Sequence, residues 1–193
     1  MRNKYLIFGY LIITLIFLFS VVITFYHYSF YGYYTDKIIS WLWLGSTLVV
    51  FIKFWKTKAI KIYFLSLLSF LLLSILPMAI PFFWILSFFT KIDDYQQINL
   101  DSDYRIERTR HQSLSMPRIY IYKRMGIFEK NICRPVYSEI IENVTSKNSF
   151  DERNIPIQYA RLIFTNSDSI GIEYQIFGKK KIIYHKVDNN DGY

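Results

Sequence analysis

Charged residues vanish from long stretches of the first 90 residues, and beyond them the spacing of apolar positions changes from helical to alternating. Tyr5 to Tyr26 is 22 residues without a charge, and 15 of them are Ile, Leu, Val or Phe. A signal peptide has a shorter apolar region, roughly 7–15 residues, ending at a small-residue cleavage site. Here the run ends Thr24-Phe25-Tyr26-His27, so an uncleaved transmembrane helix is expected. The second apolar core, Ile38 to Ile52, has only 15 residues. It needs Tyr33 and Tyr34 at one end and a snorkelling Lys53 at the other to reach across a bilayer. Gly45, Ser46 and Thr47 are small enough to let a neighbouring helix approach, with Ser66 and Ser69 as the expected facing surface.

The third stretch, Ile62 to Phe89, has 28 residues, of which 18 are Ile, Leu or Phe. Their summed insertion free energy is about −5 to −11 kcal/mol. A straight helix of that length would be about 42 Å long against a hydrocarbon core of about 30 Å. Pro77 and Pro81 each remove a helical N–H and clash with the preceding turn, so they resolve the mismatch. Helices are therefore predicted near 5–26, 36–55 and 62–80, with a kink or break between Leu76 and Pro81 and Trp84 at headgroup level.

Hydropathy drops at Lys91-Ile92-Asp93-Asp94. Beyond this point, Ile170, Ile172, Tyr174 and Ile176 alternate with Gly171, Glu173 and Gln175, the period of a half-buried strand. Ile157 to Thr165 and Lys181 to Val187 flank it as a meander, with turns at Asn166-Ser167-Asp168 and Gly178-Lys179-Lys180. Upstream, strands are expected at Tyr95–Leu100, Tyr104–Arg110, Arg118–Lys123 and Gly126–Ile132, and a short helix over Ser138–Thr145. The fold class expected is a short bundle of three transmembrane helices, residues 1–90, followed by a mainly antiparallel β domain with one short helix, residues 91–193.

Charge refines this picture. The net charge is +8, which invites a nucleic-acid reading. Its distribution argues against one: seven Lys and Arg face Asp36 alone before residue 91, and 16 face 14 acids beyond it. The basic head and the turn carrying Lys53, Lys56, Lys58 and Lys61 belong to the cytoplasmic side by the positive-inside rule. The loop at 27–37 is nearly bare of charge and rich in aromatic residues, which suits a membrane–water boundary. The N-terminus is thus expected inside and residues 91–193 outside. The Phe, Ile, Lys, Asn and Tyr bias suits an AT-rich coding sequence and hence a bacterial inner membrane.

Candidate chemistry is sparse. A single cysteine, Cys133, allows no internal disulfide, and no Cys or His stands at metal-ligand spacing, so no metal or cofactor is expected. Asn99-x-Asp101-x-Asp103 opens like a calcium loop, but Tyr104 and Arg110 stand where Gly and Glu are required. Nothing in the spacing pairs Cys133 with His111 or His185 as nucleophile and base. The most suggestive group is Arg105, Arg108, Arg110, Arg118, Lys123 and Arg124, which could meet an acidic partner or anionic headgroups if gathered on neighbouring strands. Glu107, Asp101 and Asp103 lie among them, and alternation turns Arg105 away from Arg108 and Arg110. The leading expectation is a membrane-anchored, non-enzymatic interaction or accessory protein whose outer β domain binds a protein partner or the envelope. The alternative is a membrane-bound enzyme acting on an anionic or lipid-like substrate.

Overall fold

The computed structural model describes residues 2–76, 80–90, 94–110, 116–145 and 155–187. It divides into two compact units, Met1–Phe25 with Gly32–Lys91, and Tyr26–Tyr31 with Ile92–Tyr193.

The first unit is helical: α1 (Arg2–Phe25), α2 (Thr35–Phe54), α3 (Lys58–Ile75) and α4 (Ile80–Phe89). Lys4–Phe25, Thr35–Phe54 and Lys58–Ile75 are long and apolar enough to cross a membrane. The third begins four residues before the apolar run, because Thr57 is extended and the helix starts directly after it. Lysine is a good helix former, so hydropathy does not mark that boundary. The apolar stretch from 62 to 89 is carried by two helices, α3 and α4. The intervening residues 77–79, where the break is expected, and the Trp84 side chain lie outside the described residues.

Within this unit several small polar side chains face inward. Ser20, Ser40, Thr47 and Ser74 are buried, and of the apolar residues there only Val50 is, among the described residues. Phe8, Leu15, Ile38, Leu48, Phe70 and Leu72 are exposed. Hydroxyls bond back to their own helices, as from Ser40 Oγ to Asp36 O at 2.8 Å and from Thr47 Oγ1 to Trp43 O at 2.7 Å. Between helices, the Tyr10 hydroxyl meets Tyr63 OH at 2.7 Å and Thr47 Oγ1 at 3.1 Å. Phe17 stacks on Trp43 with centroids 4.4 Å apart. The expected small-residue seam between α2 and α3 is thus corrected. Thr47 faces α1, while Ser66 and Ser69 are exposed. The physical reason is the tyrosine: its hydroxyl needs a partner when it leaves water, and Thr47 offers one.

The second unit holds a five-stranded antiparallel sheet, in the order β1 (Tyr28–Phe30), β5 (Phe128–Cys133), β4 (Ile119–Met125), β3 (Tyr104–Thr109), β2 (Asp94–Asn99). A three-stranded sheet follows in the order β6 (Tyr159–Thr165), β7 (Ser169–Ile176), β8 (Lys179–Lys186). The expected strands appear within two residues of their bounds. β1 was not expected, because Tyr28-Ser29-Phe30 is too short to show a period and reads as part of an aromatic belt. Helix α5 (Tyr137–Thr145) buries Tyr137, Ile140, Ile141 and Val144, the i, i+3, i+4, i+7 stripe of an amphipathic helix.

These elements enclose one core. Ile170, Ile172, Tyr174 and Ile176 are each 0% exposed, in the register that the alternation predicts. β7 and β8 are joined by Phe177 and Gly178, with φ of 50° and 74°. Two left-handed residues make the tight hairpin turn whose twist matches the strands. Lys179 and Lys180 therefore lie in β8 with Lys181, not in the turn as expected. Lys179 Nζ and Lys181 Nζ donate to Thr145 O and Asn143 O at 3.0 and 2.9 Å, which satisfies carbonyls at the end of α5 and complements its dipole.

Truncation of Ile172 to Ala is expected to cost about 2–5 kcal/mol, because a filled core cannot close around the lost methylenes. Gln175→Ala, on the opposite face, is expected to change stability by less than about 0.5 kcal/mol. Denaturant unfolding of the full chain in detergent distinguishes the two. Equal effects would mean that the strand register is shifted by one residue.

Candidate functional site

The six cations that the sequence offers as a binding group do not form one surface. Arg108 is 1% exposed and points into the core. Its guanidinium lies over the rings of Tyr137 and Tyr95, at 3.9 and 4.3 Å from their centroids, and donates to the Ile155 carbonyl. This is a correction to its expected role: a residue so enclosed presents no charge to a partner. Arg110 is exposed and donates to the Asp94 carbonyl at 2.9 Å. Arg118 and Lys123 are exposed, and register places them on opposite faces of β4 and its approach. Arg105 and Arg124 alone come together.

They meet in a cleft of about 290 Å³ beside the β2–β3 turn, where Tyr31, Tyr122, Asp101, Asp103 and Glu129 complete the wall. The turn is built by Asp101, whose Oδ1 accepts the N–H groups of Asp103 and Tyr104 at 2.8 and 2.7 Å. That is a turn motif and not a cation loop. Arg105 Nε donates to Glu129 Oε2 at 2.9 Å, its Nη2 to Glu129 Oε1, and its Nη1 to Glu107 Oε2 at 3.0 Å. Its plane stacks on Tyr122 at 4.2 Å. Burial works against the charged guanidinium, but the bonds and charge of Glu129 outweigh it and hold Arg105 more firmly protonated than usual. Ser29 Oγ adds a third hydrogen bond to Glu129 at 3.0 Å. Burial, then the neighbouring Asp94 carboxylate, push Glu107 up to about 7 despite Arg105. Arg124 stacks on Tyr31 at 4.0 Å and reaches the Gly126 carbonyl at 3.4 Å. Carboxylates here match or exceed the guanidinium groups, so the cleft does not act as an anion trap.

His185 and Cys133 are buried. Tyr174 OH and His185 Nε2 are 3.0 Å apart, and the rings meet edge to face. His111 lies outside the described residues. Among the described residues no three His, Cys, Asp or Glu side chains group as metal ligands.

A second surface was not anticipated. On β6–β7–β8 the face opposite the core carries Tyr159, Arg161 and Phe164, then Gly171, Glu173 and Gln175, then Lys180, Ile182, Tyr184 and Lys186. Phe164 is 45% exposed and Tyr184 64%. Their rings meet at 6.3 Å and 66°, over Gly171. A Cβ at Gly171 would stand 2.9 Å from Tyr184 Cε1 and 3.3 Å from Phe164 Cβ, so glycine is what lets the two rings close over β7. Arg161, Lys180 and Lys186 share this face of the strands with Glu173. The signal for it lies in the outward positions of β8, where Lys180, Ile182, Tyr184 and Lys186 alternate with the core set.

Burial holds the His185 imidazole below its ordinary 6.5, at about 4. The unfolded chain takes up a proton near 6.5 and the folded chain does not. Its contribution to stability is therefore full above about pH 6.5 and lost as pH falls to about 4, by up to about 3 kcal/mol. Glu107, whose folded value is raised, acts in the opposite sense, losing its contribution as pH rises from 4.5 to about 7. His185→Gln keeps a partner for Tyr174 but does not titrate. The wild type is expected to lose stability relative to this variant between pH 6.5 and 4, a difference in which the Glu107 effect cancels; parallel curves would show that His185 does not titrate in the core.

Comparison of the chain with family models, with curated proteins and with solved structures finds no match to any of them.

Proposed function

We propose that this chain is a membrane-anchored interaction protein. Three helices hold it in the bilayer, and the open face of β6–β7–β8 binds an acidic protein partner outside the cytoplasm. The observation that carries the binding reading is the exposed aromatic pair Phe164–Tyr184, fixed over Gly171 on the face that also carries Arg161, Lys180 and Lys186. Exposed apolar surface rimmed by polar residues is characteristic of protein contact sites, and the excess of cations selects an acidic partner and hastens its encounter. The roles of an accessory subunit and of an inhibitor that neutralises its target both fit such a surface. The enzymatic alternative draws no support from His185 and Cys133, which are enclosed in the core.

The anchor reading rests on the helices and on one pairing. β1 lies in the connection between α1 and α2, yet its residues pair with β5, Tyr28 with Lys130 and Phe30 with Phe128. Strands cannot pair through a hydrocarbon core, so residues 28–30 share a side with the rest of that unit. An even number of crossings must then separate them, and α2 and α3 supply two; α4 does not cross. The lysines at 53, 56, 58 and 61 support the reading that the opposite side is cytoplasmic.

A cysteine at Ser167, in an exposed turn, tests the sidedness in a Cys133→Ala background. Labelling by a membrane-impermeant thiol reagent in intact cells is expected; labelling only after lysis would reverse the orientation.

A photo-crosslinking residue at Tyr184 tests the binding. The expected product is one discrete adduct, with an acidic protein, reduced about tenfold by Lys180→Glu with Lys186→Glu and weakened by salt. Adducts that match in pattern those from Glu142, on the exposed side of α5, would remove this face from consideration.

A further inference from the structure

We propose that β8 is a docking edge to which the partner adds an extended segment as a further strand, with acidic side chains facing Lys180 and Lys186 and apolar ones facing Ile182 and Tyr184. This rests on the reading that the open face of β6–β7–β8 binds an acidic protein, and it states how that partner is held. Strand addition needs a free edge, and the edges of the two sheets differ. β1 has three residues. β2 shifts register between Asp94 and Gln96, and the Gln96 side chain is bonded to both the N–H and the carbonyl of Ile157, at 2.9 and 2.6 Å. β6 is broken by the shift between Leu162 and Phe164. All eight residues of β8 pair with β7 without a shift, and no strand among the described residues lies on its other side.

The direction of its backbone groups follows from the turn. A two-residue hairpin closes on a hydrogen-bonded pair, here Ile176 and Lys179. Such pairs recur at every second residue, so Lys181, Ile183 and His185 also bond to β7. The N–H of Val187, which donates to the Asp168 carbonyl at 2.9 Å, continues the same series. The N–H and carbonyl groups of Lys180, Ile182, Tyr184 and Lys186 therefore point away from β7, and no backbone group among the described residues meets them. The side chains of these four residues lie on the outer face, and all four are exposed. One set of residues thus offers main-chain donors and acceptors along the edge and side chains beside it. In strand addition the first give affinity and the second give specificity.

The side chains select the occupant. Facing residues of paired strands have Cβ atoms about 4.5–5.5 Å apart, so each side chain of the edge chooses its neighbour. Lys180 and Lys186 stand at the ends of the series and Ile182 and Tyr184 at its centre. The complementary strand therefore reads acid-x-apolar-x-apolar-x-acid in either direction. Lys180 lies over the Tyr159 ring at 5.7 Å, and among the described residues neither lysine is in an ion pair. Glu173 stands opposite Ile182 on β7, away from the edge. A second copy of the chain is a poor occupant. Antiparallel pairing of β8 with itself about Ile183 would set Lys180 against Lys186 twice, and like charges directly opposite are destabilising. Lysines on an edge strand oppose self-association in this way, and here they leave an acidic strand as the one that pairs.

A photo-crosslinking residue is placed in turn at Ile182, Tyr184 and Lys186 of the full chain in its native membrane, and the attached partner residue is read by mass spectrometry. The attachment points are expected to move two residues per step along one partner segment, in which Asp or Glu flanks two apolar positions. Ile182→Pro removes an outward N–H and none that β7 uses, a change that a sheet edge tolerates. It is expected to lower the Tyr184 adduct about tenfold relative to Ile182→Val, which keeps the N–H. If the proline variant does not fold, the spacing of the attachment points decides alone. Steps of three or four residues, scattered attachment points, a segment without acids, or an undiminished adduct in a folded Ile182→Pro would overturn strand addition and leave the open face as the binding surface. No adduct at any of the three positions, or an adduct with a second copy of the chain, would overturn both readings.

Discussion

The sorting of side chains in the helical unit sets the terms for the rest of the molecule. In water, burial of apolar surface drives helices together, at roughly 25 cal/mol per Å², and leaves hydroxyls outside. Here Ser20, Ser40, Thr47 and Ser74 are inside, while Leu, Ile and Phe cover the outside. Such a bundle gains nothing from the hydrophobic effect on association. It is held by stacking such as Phe17 on Trp43 and by the Thr47–Tyr10–Tyr63 bonds. Those terms suffice where the surroundings are as apolar as the outer surface, which is the condition a bilayer meets.

The β unit obeys the opposite rule and therefore meets a different difficulty, the burial of cations. Removing a guanidinium from water carries a penalty of several kcal/mol unless its charge and donors are satisfied. The chain answers in two ways. Arg108 is placed between the faces of Tyr95 and Tyr137, with a carbonyl from the Ile155 segment as acceptor, so it ties β2, β3, α5 and the approach to β6 together. Arg105 is answered by carboxylates: Glu129 from β5 and Glu107 from its own strand, with Ser29 of β1 bonded to the same Glu129. Both arginines act as cross-links between elements distant in sequence. Two of the six cations that look in the sequence like a basic ligand surface, Arg105 and Arg108, are thus internal cross-links.

The elements with a strong period could be read in advance. The three apolar helices and the Ile170–Ile176 alternation needed no tertiary knowledge, since each is a local pattern long enough to exceed chance. The features that escaped are those fixed by a partner far along the chain. β1 exists because β5 offers it an edge 100 residues later. Thr47 faces α1 because Tyr10 requires a hydrogen bond there. Arg108 is inside because the face of β3 that holds Tyr104 and Ile106 is the core face, and alternation alone does not say which face that is. The Phe164–Tyr184 pair escaped for a related reason. A register shift in β6 between Leu162 and Phe164 brings Phe164 opposite Gly171 and onto the outer face, and a bulge leaves no mark in hydropathy.

That bulge carries the argument about function one step further. Without it, regular alternation from Ala160 and Leu162 would turn Phe164 inward, towards a core whose volume is already filled by Ile170, Ile172 and Tyr174. The extra residue instead directs a large aromatic to the outside, and Gly171 keeps the facing position bare so that Tyr184 can lie across it. Stability gives no reason for this arrangement: an exposed Phe gains less burial than a core one, and Gly in a central strand weakens it. Two local features that each disfavour folding thus combine to make one exposed aromatic surface in a cationic setting. Features of that kind favour a role in contact over a role in the fold, and for this reason the binding we propose is placed on the open face of β6–β7–β8 rather than in the neutralised cleft at Arg105.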